Sequence, residues 1–276
     1  MRLFNRVAII GTGLIGGSLA LAIKKKKLAK VVIGVSRHRR TLVLAKRCHA
    51  IDIGAQDFNI IKDADLIIFA TPVNTILEIS PLISRIAKAE AVVTDVGSTK
   101  KEIVSELTKL FPRYIGSHPL AGSEKRGIVS ANANLFQDSL CLLTPTPSTH
   151  QPSIKKVKKL WKALGARVVL LNPSLHDKIL SFISHLPHLI VFSLMSSVPK
   201  RYLKFTAAGF KDTTRIASSD ARLWSDIFMT NRSSLLKALG EFEKNLTKIK
   251  TAIKKKNTPG LEVILKKAKR SRDSLR

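Results

Sequence analysis

The sequence predicts an α/β protein in two parts: a doubly wound, mainly parallel sheet over residues 1–172, then an all-helical part over 173–276. Three observations carry this reading. An apolar run, Val7 to Ile10, leads through Gly11, Gly13 and Gly16 (G-x-G-x-x-G) into a helix. Strand and helix signals then alternate as far as Leu171, the pattern of a sheet covered on both faces. From Pro173 onward strand signals stop and helical periodicity takes over.

Each element has its own reason. Val7–Ile10 is short and uniformly apolar, as a buried strand should be, and Ser18–Lys27 follows it as a helix. Val31–Val35 is a second buried strand, followed by a helix from Arg40 to about His49. Asp65–Ala70 is a strand that stops at Pro72, which cannot donate to a ladder. Thr75–Ala87 is helical despite Pro81; Ala91–Asp95 is the next strand and Thr99–Leu110 the next helix. Tyr114–Ser117, Cys141–Thr144 and Arg167–Leu171 read as strands, with a helix at Ser153–Leu164. Beyond Asn172-Pro173, His176–Val198 is helical with a kink expected at Pro187. Phe205–Ala217, Leu223–Thr230 and Asn231–Lys255 continue the helical part. Pro259-Gly260 reads as a turn before a last helix, Leu261–Ser271.

The glycine pattern carries chemistry. Gly11 makes the tight strand-to-helix turn, Gly13 lets backbone approach a pyrophosphate, and Gly16 lets helix and strand pack closely. Leu14 and Ile15 sit where free N–H groups and the positive end of the helix dipole hold an anion. This is the fingerprint of a Rossmann-type dinucleotide-binding unit. A glycine turn in any α/β unit can mimic it, but here strand, turn and helix fall in the required order.

In such units an acid about 20 residues after the third glycine binds the ribose 2′-hydroxyl. Ser36 stands there, followed by Arg37, His38, Arg39 and Arg40. The missing carboxylate removes repulsion against a 2′-phosphate, and the serine and arginines supply donors and charge. NADP is therefore expected over NAD. The alternative is that the arginines begin a solvated helix and NAD binds without an acid.

The chain has 276 residues, 45% hydrophobic but only 5% aromatic, which suits an aliphatic core. Its net charge is +29. Lysine and arginine cluster at 24–27, 37–40, 155–159, 254–256 and 266–272. Because these clusters are scattered and not interleaved with aromatics, a solvated surface is preferred over nucleic-acid binding. Cys48 and Cys141 are far apart, so no disulfide framework is expected and a cytoplasmic location fits. Residues 7–23 carry no charge and contain Ala20-Leu21-Ala22, which resembles a signal-peptidase site. The glycines within and the lysines straight after disfavour export, and no other stretch reads as a membrane span.

Polar, glycine-containing loops follow the strands, where such sheets place their sites. They are Thr71-Pro72-Val73, residues 95–100 (DVGSTK) and residues 116–124 (GSHPLAGSE). In the helical part, Ser184-His185-Leu186-Pro187-His188 puts two histidines at i, i+3 on one face. No third ligand stands at a suitable spacing, so no metal is expected. Residues 209–215 (GFKDTTR) and Trp224-Ser225-Asp226 mix charge with glycine and tryptophan.

On these segments the chain resembles the prephenate/arogenate (cyclohexadienyl) dehydrogenases of tyrosine biosynthesis. The matching stretches are GTGLIGGSLA (11–20), ATPV (70–73), DVGSTK (95–100), GSHPLAGSEKRG (116–127), NLFQ (134–137), SHLPH (184–188) and GFKDTTRIASSDARLW (209–224). They occur in the family's order across nearly the whole chain. The resemblance implies NAD(P)-dependent oxidative decarboxylation of prephenate to 4-hydroxyphenylpyruvate, or of arogenate to tyrosine. Hydride leaves C4, a base takes the hydroxyl proton, carbon dioxide departs and the ring becomes aromatic.

The same resemblance implies roles for residues. His118 becomes the acceptor or base at the 4-hydroxyl, and Ser98 a partner of that hydroxyl or of the nicotinamide side, unless it merely caps the helix after it. His188 contacts substrate across the cleft with support from His185, unless both are core histidines. Arg215 pairs with a substrate carboxylate, unless it forms an internal salt bridge with Asp212 or Asp220. Trp224 is expected to pack. Thr71 and Pro72 border the cofactor. The helical part is implied to form a homodimer. Departures are Lys101, where a glycine is common, and a less glycine-rich Ala207-Ala208-Gly209. No chorismate mutase segment or ACT-type domain is expected, so tyrosine inhibition would act at the active site.

Two other readings are weaker. A β-hydroxyacid dehydrogenase would need a catalytic lysine in a glycine-rich segment, which is not found. A non-enzymatic nucleotide- or nucleic-acid-binding protein would leave the polar loops without purpose.

Overall fold

The computed structural model describes residues 2–122 and 125–275. Its strands are β1 (Phe4–Ile10), β2 (Ala29–Val35), β3 (Ile53–Ala55), β4 (Leu66–Phe69), β5 (Val92–Asp95), β6 (Tyr114–Pro119), β7 (Leu140–Thr144) and β8 (Arg167–Leu170). They form one sheet in the order β3-β2-β1-β4-β5-β6-β7-β8. Every pair is parallel except β6 with β7. Ile10 is level with Val35 and with Phe69, and Phe69 with Asp95. The loops after β1, β2, β4 and β5 therefore leave from one edge of the sheet, on either side of the point where strand order reverses.

Helices α1 (Leu14–Lys25), α2 (Arg39–Arg47), α3 (Val73–Ile86), α4 (Lys101–Leu110) and α5 (Gln151–Ala163) cover the sheet. The period of two in β1 sorts the core. Val7 and Ile9 pack with Leu19 and Ile23 of α1 and with Val157 and Trp161 of α5. Ala8 and Ile10 face the other way, onto Ile76 and Ile83 of α3 and Ile103 and Leu107 of α4. Both faces are thus covered, as a parallel sheet requires.

From Pro173 the chain is helical: α6 (Pro173–Leu180), a π-helical turn (Ser181–His185), α7 (Leu186–Ser197), α8 (Ala208–Thr214), α9 (Ala221–Thr230), α10 (Arg232–Lys254) and α11 (Thr258–Asp273). Several boundaries differ from expectation. α1 begins at Leu14, four residues early, because Gly16 and Gly17 are already helical. The short β3 and the 3-10 turn Phe58–Ile61 carry too little pattern to be seen in sequence. Pro259-Gly260 is no turn: Pro259 lies in the first turn of α11, where a missing N–H costs nothing. Asn257 caps that helix by accepting from the Gly260 N–H at 2.9 Å. Pro187 sits at the start of α7, and the departure from α-helical geometry falls just before it, in the π turn.

Pro173–Ser197 runs on as one 25-residue helical stretch of mean hydropathy 1.6, long and apolar enough to cross a membrane by length and composition. This corrects the expectation of no such stretch; the serines and histidines scattered through it hide its length from a search for apolar runs. Phe182, Ile183 and Leu194 along it are exposed.

Candidate active site

The glycine loop has the geometry its sequence asks for. Gly11 has φ +98°, and a Cβ there would meet the Ala70 carbonyl oxygen at 2.5 Å. A Cβ on Gly16 would lie 1.9 Å from the Gly11 carbonyl oxygen, so only glycine lets α1 start this close to the turn. Gly13 is the opposite case: it is the N-cap of α1, no side chain caps it, and a Cβ there would meet nothing within 4 Å. The N–H groups of Leu14 and Ile15 thus begin a helix beside open space, which fits a pyrophosphate. Thr71 and Pro72 follow β4 beside Gly11; the Thr71 Oγ1 is buried with no hydrogen-bond partner among the described residues. At the end of β2 the Ser36 Oγ accepts from the His38 N–H at 3.3 Å, and Gln56 Nε2 donates to the Arg37 carbonyl at 2.8 Å. Arg37, Arg39 and Arg40 are exposed there. The residues present fit a dinucleotide.

Three strands from β1, β6 carries His118. The expectation of a loop histidine is corrected: β6 continues through Pro119, and His118 pairs with Leu142 of β7. The strand holds the backbone while the ring turns toward the helical half. His118 Nδ1 lies 2.9 Å from His176 Nε2, and His176 Nδ1 lies 2.8 Å from Asp177 Oδ1. Both residues on α6 are buried. The Asp177 carboxylate also accepts the N–H of Lys100 (2.7 Å) and of Lys101 (2.9 Å) at the start of α4. Ser98 is therefore not the cap of this helix; Asp177 is. Ser98 stays half-buried in the loop, and its hydroxyl makes no hydrogen bond among the described residues. Thr99 Oγ1 reaches Thr230 at 3.0 Å, so this loop also docks on α9.

Behind the loop, Lys100 pairs with Asp95, both fully buried. Asp95 accepts from the Tyr114 hydroxyl at 2.7 Å and from the Gly97 N–H at 2.9 Å. Burial and the Asp95 charge push the Tyr114 hydroxyl up.

In the helical half, His185 lies 3.1 Å from Asn231 Nδ2, which also donates to the Asp177 carbonyl at 2.8 Å. His188 Nδ1 donates to the Ser184 carbonyl at 2.9 Å, and its ring stacks on Trp224 with centroids 3.5 Å apart. Trp224 packs as expected, but against both histidines. Arg215 begins the turn Arg215–Ser218 and, with Lys211, Phe192 and Met195, lines a cavity of about 450 Å³. Asp220, one expected partner of Arg215, pairs with Arg126 at 2.5 Å and caps α9. Ser123 and Glu124 of the 116–124 segment lie outside the described residues. Among those described, no group of three or more potential metal ligands occurs.

His118 is held well below the usual histidine range, first by burial and then by its neighbours His176 and Lys100. Burial likewise lowers His176 and His188, and takes His185 down to about 4. A histidine lowered in the fold binds fewer protons than in the unfolded chain, so stability is full above about pH 6.5 and falls as pH drops through that value. His185 alone accounts for about 3 kcal/mol between pH 6.5 and its own value near 4. Denaturant midpoints should fall steeply from pH 7 to pH 5; a flat profile would show that these histidines are not held neutral.

His176 and Asp177 are the residues that sequence reasoning missed. The His-Asp dipeptide at a helix start was visible, but nothing in sequence places it 58 residues away against His118.

A family model described as "Prephenate dehydrogenase, nucleotide-binding domain" matches residues 19–170, and one described as "Prephenate dehydrogenase, dimerization domain" matches 172–267. The chain belongs to the prephenate dehydrogenase family. The prephenate dehydrogenase of Bacillus subtilis is 35% identical over 98% of this chain and 76% of its own length. The cyclohexadienyl dehydrogenase of Zymomonas mobilis is 32% identical over 100% of this chain and 98% of its own. The crystal structure of prephenate dehydrogenase from A. aeolicus with hydroxyphenyl propionate and NAD⁺ has a TM-score of 0.93 at 34% identity, covering 99% of this chain and 98% of that one. A Synechocystis arogenate dehydrogenase structure follows at 0.84 and 30% identity, covering 97% of this chain and 99% of that one. The fold is thus a nucleotide-binding sheet followed by a helical half of the family's dimerisation type. The protein is an oxidoreductase of tyrosine biosynthesis.

Proposed function

We propose that this chain oxidatively decarboxylates prephenate to 4-hydroxyphenylpyruvate, with NADP as the preferred cofactor. Residues 1–172 bind the nucleotide and 173–276 close over the substrate. The observation that carries the reading is the His118–His176 contact, which occupies Nδ1 of a ring kept neutral and leaves Nε2 for the substrate hydroxyl.

A bound nicotinamide supplies the hydride acceptor for C4. The protein's share is to orient, to take a proton and to hold anions. Gly11, Gly13, Gly16, Leu14 and Ile15 hold the pyrophosphate, with Thr71 and Pro72 beside them. His118 Nε2 accepts the 4-hydroxyl proton, and Ser98, whose hydroxyl is uncommitted, contacts the same oxygen or the nicotinamide side. His188, backed by His185 and Trp224, and Arg215 hold the substrate from the helical half. Loss of carbon dioxide then aromatises the ring without further help from the protein.

Ser36 and the exposed Arg37 and Arg40 support the NADP preference, since no carboxylate stands at the ribose position. Steady-state kinetics with prephenate and arogenate against NAD⁺ and NADP⁺ test both halves of the reading. NADP⁺ should show the lower KM, and Ser36→Asp should shift preference toward NAD⁺. A tenfold preference of the unmodified protein for NAD⁺ would overturn the cofactor choice. Turnover of arogenate alone would move the substrate to its amino acid counterpart.

The same reading makes the chain a homodimer. Phe182, Ile183, Leu194, Phe205, Met229 and Leu236 leave apolar area exposed on the helical half, too much for a monomer's surface. The exposed side of the stretch Pro173–Ser197, with Phe182, Ile183 and Leu194, is then an interface and the stretch is not a membrane span. Light scattering should give twice the chain mass at micromolar concentration; a fully active monomer would refute this. Cys48 and Cys141 are unpaired, in keeping with a cytoplasmic enzyme.

A further inference from the structure

We propose that Asp177 is the positioning residue that fixes which ring nitrogen of His118 carries the proton. The inference rests on the reading of His118 as the base and adds what makes it one.

The argument is a count of donors and acceptors along one line. Asp177 has two carboxylate oxygens, and both already accept backbone N–H groups, from Lys100 and Lys101. These N–H groups stand at the start of α4, and each is a donor, so both oxygens of Asp177 act as acceptors. His176 Nδ1, 2.8 Å from Oδ1, must then be the donor. A neutral imidazole has one donor and one acceptor nitrogen, so His176 Nε2 is the acceptor. His118 Nδ1, 2.9 Å from it, must in turn be the donor. The lone pair of His118 is thereby forced onto Nε2. The opposite tautomer would set two lone pairs, or two N–H groups, against each other somewhere along the line.

The line crosses the molecule. His118 stands on the sheet, His176 and Asp177 on the first helix of the helical half, and the N–H groups that hold Asp177 on the sheet side again. Asn231 ties the Asp177 carbonyl from α10's start at 2.8 Å, which fixes this stretch of α6 against rotation. One carboxylate therefore takes part both in the docking of the two halves and in the protonation pattern of the base. The logic is that of an acid orienting a catalytic histidine, where the wrong tautomer costs up to about 10⁴-fold in kcat. Here a second imidazole relays it.

Two-bond ¹H–¹⁵N correlation spectra of the full-length protein test this directly. In the unmodified protein His118 should be a single tautomer protonated at Nδ1. In Asp177→Leu, which removes both acceptors, the His118 signals should shift toward the Nε2-protonated form. kcat should fall by about 10- to 10³-fold while NADPH affinity, read by fluorescence, stays within a few-fold. Asp177→Asn, whose Oδ1 can still accept from His176, should keep the wild-type tautomer and most of kcat.

An Nε2-protonated His118 in the unmodified protein overturns the proposal, even if no variant folds. So does an unchanged tautomer in folded Asp177→Leu. Full activity of His118→Asn with a wild-type Nδ1–H tautomer would instead sink the reading of His118 as base and leave the tautomer assignment standing.

Discussion

His118→Asn should bind the nicotinamide cofactor as the unmodified enzyme does and lose about 10²–10⁴-fold in kcat, the usual contribution of a positioned general base. The two halves of this expectation come from different parts of the structure. The glycine turn at Gly11–Gly16 follows β1, three strands from β6 in the sheet order. Asparagine is close to histidine in shape at Cγ and can still hydrogen-bond His176, so the β6 strand should survive. What it cannot do is take a proton. The ring is suited to that step because burial and the Lys100 charge keep it neutral at working pH. The measurement is kcat with saturating substrate, alongside cofactor affinity from nucleotide fluorescence. Activity within a few-fold of the unmodified enzyme would remove His118 from the chemistry; lost cofactor binding would mean that the fold, not the base, had been damaged.

How much of this was legible in the sequence varies with the range of the interaction. The glycine turn was readable in full, because Gly11, Gly13 and Gly16 act within one strand–helix unit and each has a local reason. The strands of the buried sheet were readable to within a residue or two, save that β1 starts three residues before Val7, at Phe4, since uniformly apolar runs must be covered on both faces. β3 was not, because three half-buried residues at an edge carry no period. The helical half was legible as helix but not as packing. His185 and His188 share a helix face, yet only the fold shows Trp224 stacked on His188 and edge-on to His185. The line from His118 through His176 to Asp177 was invisible for the same reason: it joins positions set by the docking of two halves, and no short motif encodes docking. Lys100 was in a quoted motif, but its burial beside Asp95 follows from three-dimensional closure alone.

Arg215→Ala should raise KM for the substrate by roughly 10- to 150-fold with a smaller change in kcat. The substrate is a dianion, and removing one charge-assisted hydrogen-bonded pair costs about 1.5–3 kcal/mol. Arg215 stands at the head of its turn, on the wall of a cavity that also presents Lys211, and its charge is felt at His188 one helix away. That places a guanidinium near His188, the histidine proposed above to contact the same ligand. Arg215→Lys should recover only part of the loss, because an ammonium cannot offer two parallel N–H donors to a carboxylate. The competing account is structural: Arg215 holds its own turn by an internal salt bridge, with no part in binding. Asp220, one partner that this account names, also pairs with Arg126 and accepts from the Leu223 N–H. A structural role predicts a lower melting temperature for Arg215→Ala with KM little changed. A binding role predicts the reverse, with Tm within a few degrees of the unmodified enzyme. Both quantities measured on one preparation decide between them, and an unchanged KM would take Arg215 out of the site.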